Sequence, residues 1–223
     1  MPYKDFSVGE VLTANDVNTY LMQQSIAVVT SGTRPNSPVQ GQMIYETDTQ
    51  SLVLYTGSVW ETLVYHGPFK TYVPAWTASG TNPSIGNGGL SAQYRRLPGR
   101  MVWVRLSWSR GSTTNFGSGT YSFSLPPGLP AEVGTRWFGD VYGSPDNANY
   151  QVRGIATILA GGSGENIDRI SWDISDTAGG AGDMDNWTST TQSNNEPQFD
   201  VDGYFTVNLM YETTYIESDE EDA

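Results

Sequence analysis

The sequence predicts a mainly β protein: a short N-terminal helix and a small three-stranded meander, then an antiparallel β-sandwich. Three observations carry this expectation. Turn formers are abundant, with 25 Gly and 12 Pro. Aromatic residues make up 12% of the chain and recur beside β-branched residues in short runs of strand length. Several of those runs alternate apolar with polar side chains, the period of a half-buried strand. Charged residues reach only 16%, which together with the aromatics argues against a disordered chain.

The helix is placed by Thr13-Ala14-Asn15-Asp16. This is the form of a capping box, a hydroxyl at the cap and a carboxylate three residues on. Val17, Tyr20, Leu21, Gln24 and Val28 follow at helical spacing and make one mostly apolar face. Beyond Ser25 the run Ile26-Ala27-Val28-Val29-Thr30 is rich in β-branched residues, which brings the helix end early. A helix this short needs something to pack on.

Residues 33–65 read as the meander. Gln42-Met43-Ile44-Tyr45-Glu46, Ser51-Leu52-Val53-Leu54-Tyr55 and Val59-Trp60-Glu61-Thr62-Leu63 are its strands, with turns at Thr47-Asp48-Thr49-Gln50 and Thr56-Gly57-Ser58. So small a unit buries little surface alone and has no cysteine to staple it, so self-association is expected. The residues expected to attach and oligomerise are Val17, Tyr20, Leu21 and Val28 of the helix face, and Ile44, Leu52, Leu54 and Trp60 of the meander.

His66-Gly67-Pro68 marks the boundary between a region of residues 1–65 and a domain of residues 69–216. In the second domain Val102, Val104, Leu106 and Trp108 share one strand face, and Phe205, Val207, Leu209 and Tyr211 another. Tyr121 to Leu125 and Ile170 to Ile174 also alternate, and Val152 to Ala160 is a less polar strand. The pattern predicts a sandwich of about eight strands, with jelly-roll topology as one option. The stretch 176–200 is rich in Gly, Asp, Asn, Thr and Ser and reads as a long surface loop. Residues 217–223 form an acidic tail.

Composition removes several function classes. With no cysteine, disulfides, thiolate metal sites and a cysteine nucleophile are excluded. The N-terminus has neither the basic start nor the apolar core of a signal peptide, and no apolar run is long enough to span a bilayer. The net charge is −13, so nucleic acid is not expected as a partner.

Chemistry-bearing residues are sparse. His66 is the one histidine, and no Gly-x-Ser-x-Gly elbow accompanies it. Asp183 and Asp185, or Asp200 and Asp202, could form the carboxylate pair of a glycan-cutting enzyme; solvated loop acids are the plainer reading. The same stretch offers oxygen ligands for Ca²⁺ but lacks the EF-hand spacing. Trp76, Trp137 and Trp187 lie near turns and are candidates for surface recognition of a sugar, with burial at a core edge or subunit interface as the alternative. Five of the second domain's nine basic residues, Arg95, Arg96, Arg100, Arg105 and Arg110, fall within sixteen positions. They make either a solvated strand edge or a dock for the acidic tail. No catalytic residue, cofactor or metal is expected.

Residues 6–62 resemble a segment of minor tail and tail-fibre proteins of phages that infect actinobacteria. The residues that carry the resemblance are Phe6, Val8 to Ala14, Asp16-Val17-Asn18 and Tyr20-Leu21-Met22, then Arg34-Pro35, Gly41 to Thr49 and Leu54-Tyr55-x-Gly57-Ser58-x-Trp60. More loosely, Tyr94 to Arg100, Gly117 to Tyr121 and Phe123 to Pro126 are similar to the terminal sandwich of such proteins. The resemblance implies a homotrimeric virion protein with an N-terminal attachment part and an outward-facing sandwich; the missing nucleophiles and ligands make a non-enzymatic role the expectation, and the absence of cysteine fits assembly in the host cytoplasm. It implies other virion proteins as partners, and a host-surface glycan as a further one. The chain has no heptad run and no internal repeat to serve as a fibre shaft. A capsid decoration protein or head fibre is therefore the alternative, and a carbohydrate-binding module or glycan depolymerase is the alternative of another class.

Overall fold

The computed structural model describes residues 7–17, 20, 25–145, 151–159, 162–174, 183–186 and 199–214, the side chains of 172–174 and 183–186 excepted. The fold is mainly β, with a short N-terminal helical element and several antiparallel pairings. The chain divides into two compact units, one built on residues up to Pro68 and the other on residues from Phe69 onward.

In the first unit the capping box forms around helix α1 (Ala14–Asp16). The Asp16 amide donates to Thr13 Oγ1 at 3.2 Å, and the Thr13 amide donates to Asp16 Oδ2 at 3.1 Å. These bonds satisfy donors that a helix start leaves open. No residue of α1 is buried. Val17 and Tyr20 are half-buried, whereas Leu21 lies outside the described residues.

Val28 corrects the sequence reading. It belongs not to a helix face but to strand β1 (Ala27–Val29). The β-branched run around it favours extended backbone, and the edge of the meander supplies a ladder to complete. β1 pairs in parallel with β2 (Met43–Glu46). β2 then pairs with β3 (Ser51–Tyr55), and β3 with β4 (Trp60–Tyr65), both antiparallel. The predicted meander thus gains a fourth strand. Its alternation sorts two faces: Ile44, Glu46, Ser51 and Val53 are buried, while Met43, Val28 and Val64 on the other face are exposed.

The buried face is polar as well as apolar. Glu46 is 1% exposed and receives the Arg34 Nε at 2.6 Å and the Thr49 hydroxyl at 2.8 Å. In the next turn Asp48 accepts the Ser31 hydroxyl at 2.6 Å, a bond that holds its carboxyl below the usual range.

The second unit contains β5 (Lys70–Tyr72), β6 (Trp76–Ala78), β7 (Gly89–Leu97), β8 (Met101–Ser109), β9 (Tyr121–Ser124) and β10 (Trp137–Ser144). It continues with β11 (Val152–Ile158), β12 (Asn166–Ile167), β13 (Arg169–Ile174), β14 (Asp183–Asn186) and β15 (Tyr204–Glu212). Among the described residues these form one eight-stranded sheet, β14-β13-β11-β10-β15-β8-β7-β5, and one three-stranded sheet, β12-β9-β6. The layers are unequal, unlike the two four-stranded sheets that a jelly roll would give. Within the stretch read as a loop, Asp183–Asn186 instead forms an edge strand on β13. Pairing with an open strand edge here overrides low β propensity.

The core lies between the two sheets. Val102, Val104, Leu106 and Trp108 of β8 face it, as do Phe205, Val207, Leu209 and Tyr211 of β15, each at most 1% exposed. From the small sheet come Trp76, Tyr121 and Phe123. Trp108 stacks on Phe205 with ring centroids 5.1 Å apart and meets Trp76 edge-on at 5.5 Å. Gly143 keeps β10 close to β15: a Cβ there would stand 2.7 Å from the Tyr204 carbonyl oxygen and 2.9 Å from the Phe205 Cβ.

Candidate functional site

The inward residues of β8 and β15 fix what faces out. Because side chains alternate, Trp103, Arg105 and Ser107 must leave the core side of β8, and Thr206, Asn208 and Met210 that of β15. The antiparallel register sets Met210 opposite Trp103, Asn208 opposite Arg105 and Thr206 opposite Ser107. On the neighbouring strands Thr71 of β5 pairs with Gln93 of β7. Of these residues Thr71, Gln93, Arg105, Ser107, Thr206 and Asn208 line a surface groove of about 590 Å³ on the outer face of the eight-stranded sheet. That is the size of a small-ligand site.

Among the described residues Arg105 is the one charged residue lining the groove. Its guanidinium carbon lies 4.2 Å from the Trp103 ring centroid and 4.5 Å from that of Phe69. The two rings meet edge-on at 5.1 Å. Cation–π contact with two rings holds the planar fork while leaving its N–H edge available. No carboxylate pairs with it among the described residues. The Trp103 indole N–H donates to Oδ1 of Asn208, which lines the groove. The other polar side chains lining it are neutral: the hydroxyls of Thr71, Tyr72, Ser91, Ser107 and Thr206 and the amides of Gln93 and Asn208. The lining surface between these groups is mostly apolar, so the groove combines one cation and several neutral polar groups with apolar area.

The residues expected from sequence to recognise a surface lie elsewhere. Trp76 is 7% exposed and stacks on Phe123 with an interplanar angle of 4°, so its ring serves the core. The edge strand β6 turns it inward, which proximity to a turn did not reveal. Trp137 is half-buried against the core and donates its indole N–H to the Glu132 carbonyl at 3.1 Å. Trp187 lies outside the described residues.

The expected attachment residues are divided by the sheet. Ile44 is fully buried. Trp60 is half-buried and packs on Tyr55 at 5.2 Å. Leu52 and Leu54 are half-buried on the opposite face, the side of Val28, which is 69% exposed. Register brings Val28, Tyr45, Leu52 and Val64 into one cross-strand row, with Met43 and Leu54 beside it. Nearby in sequence, Val8, Val11 and Leu12 are exposed at 109%, 83% and 50%.

The other chemical candidates disperse. The His66 amide donates to the Gln50 carbonyl at 2.8 Å, closing the end of β4. Asp200 and Asp202 sit in a turn rather than on one strand face, with Asp202 at φ 72° and the Gly203 amide donating to the Asp200 carbonyl. The side chains of Asp183 and Asp185 lie outside the described residues. Among the described residues no group of three or more His, Asp or Glu could hold a metal ion. The basic cluster is also split. Arg100 pairs with Glu212, and Arg110 donates to the Phe199 carbonyl. Residues 215–223, including the acidic tail, lie outside the described residues.

Sequence reasoning missed the groove. Its signal was present in the outward parity of Trp103 and Arg105, but only strand pairing shows that Thr206 and Asn208 stand beside them. No family model, no curated protein and no solved structure matches the chain.

Proposed function

We propose that this chain is a non-enzymatic structural protein of a bacteriophage particle, a minor tail or fibre-tip protein that assembles as a homotrimer. In this reading residues up to Pro68 attach and trimerise, and the domain beyond is displayed on the particle. The observation that carries the assembly part is the open apolar face of the first unit. Val28, Met43 and Val64 are exposed there, and the helix α1 buries nothing. Water-exposed apolar area of this kind favours association. The phage part rests on the resemblance over residues 6–62. Support for a non-enzymatic role is that, among the described residues, the groove is lined by no histidine and no carboxylate. The lack of a heptad run or repeat keeps a second reading in play, a decoration protein or head fibre on the capsid.

Two measurements test the proposal. The mass of the purified chain in solution is expected to be that of a trimer, and Val28→Asp is expected to shift it toward monomer. A stable monomer of the unmutated chain would sink the assembly part. Mass spectrometry of separated phage heads and tails is expected to find the chain on tails. Its presence on heads alone selects the decoration reading, and its absence from both removes the virion assignment.

A further inference from the structure

We infer that the groove around Arg105 is a binding site for an acidic saccharide, with a sugar carboxylate on the guanidinium and ring hydroxyls on the neutral side chains. The inference gives the displayed domain of the reading above a ligand class, but it stands on the groove's own chemistry.

The charge comes first. One cation lines the groove, fixed over Trp103 and Phe69 at 4.2 and 4.5 Å. An exposed guanidinium held against two rings, with no carboxylate partner among the described residues, can present N–H groups to an anion. A carboxylate matches such groups with two parallel hydrogen bonds. The rest of the lining gives the ligand its character. Ser107, Thr206, Thr71, Gln93 and Asn208 supply both donors and acceptors without charge. The lining surface between these groups is mostly apolar, which suits the C–H face of a sugar ring, whereas a ligand with no polar groups would leave the hydroxyls and amides unpaired. A hydroxyl-rich ligand replaces the water on them bond for bond.

Other polar ligands fit less well. An extended peptide is read through its backbone at an open sheet edge. Here Arg105, Ser107, Thr206 and Asn208 lie on β8 and β15, which are inside the sheet and paired with one another along their length, and the edge strand β5 is only three residues long (Lys70–Tyr72). A nucleic acid needs several cations along its backbone, and the groove has one in a chain of net charge −13. One acidic group among several hydroxyls is the composition that the lining matches.

The test uses the purified full-length chain and titration calorimetry. The probes are trigalacturonate, its neutral counterpart galactotriose, and acetate. Trigalacturonate is expected to bind saturably with a Kd below about 1 mM and to weaken with added salt. Galactotriose is expected to bind about tenfold more weakly, having lost the charge-assisted pair. Binding should also change the emission of Trp103, so Trp103→Phe should remove that component. Arg105→Met keeps the aliphatic stem over the rings and is expected to abolish the preference for the acid. Thr206→Val is expected to weaken both sugars, with melting curves showing that each variant is folded. No binding of either sugar overturns the inference. So does full affinity in both folded variants. Complete displacement of trigalacturonate by equimolar acetate would reduce the groove to a simple anion site and overturn it as well. Failure of binding leaves the chain's place on a particle standing, and absence from particles leaves the binding result standing.

Discussion

The Tyr211 hydroxyl donates to the Leu129 carbonyl at 2.8 Å, joining two positions that lie 82 residues apart. Tyr211 is fully buried and Leu129 is 1% exposed. The bond ties the end of β15 to the loop that follows β9. With Tyr211→Phe the ring still packs, but the carbonyl loses its partner inside the core. A loss of about 1–3 kcal/mol is expected, the cost of leaving a buried acceptor unsatisfied. Chemical denaturation followed through the second unit's tryptophan signal measures it.

Alkaline pH should act on the same tyrosine and two others. Burial pushes the hydroxyls of Tyr72, Tyr121 and Tyr211 well above the ordinary phenol value of 10.0. A pKa raised in the folded state contributes stability that is fully present below the unfolded value and is lost as pH rises toward the folded one. The second unit is therefore expected to hold constant stability up to about pH 9 and to weaken steadily above about pH 10. Ultraviolet titration of phenolate absorbance should show these three tyrosines ionising only together with unfolding.

Trp76 separates a core tryptophan from a binding one. It packs on Trp108, Tyr121 and Phe123 at 5.5, 5.4 and 6.1 Å. Trp76→Ala is expected to cost about 3–5 kcal/mol by removing a buried ring that joins the two sheets. Trp103→Ala, on the outer face, is expected to cost less and to disturb the seating of Arg105 instead. Paired melting and sugar-binding measurements on the two variants distinguish these roles.

The Arg34–Glu46 pair offers a test confined to the first unit. Glu46 is 1% exposed, and Arg34 lies 2.6 Å from it with 19% of its own side chain exposed. Arg34→Ala leaves a buried carboxylate without its cation, and a loss of about 3 kcal/mol is expected. The double change Arg34→Met with Glu46→Met should recover much of that loss, because neither charge then remains to be desolvated. Hydrogen exchange at the amides of Ile44 and Val53 reports on this unit separately from the other.

The sequence by itself determined which residues of the long strands turn inward. Alternation alone identifies Val102 to Trp108 and Phe205 to Tyr211 as core, because a pleated strand sends neighbours to opposite faces. It also located the capping box at Thr13 and Asp16, whose chemistry is local to four residues. It did not determine which strand lies beside which. The pairing of β8 with β15 joins residues about a hundred positions apart, and alternation is the same whatever the neighbour. That pairing decides the groove, since Arg105 faces outward in any arrangement but meets Asn208 only in this one. The same holds for Val28 and Trp76. Both sit in strands of three residues, too short for alternation to assign a face, so the open edge of the meander gave one its partner strand and the small sheet turned the other into the core.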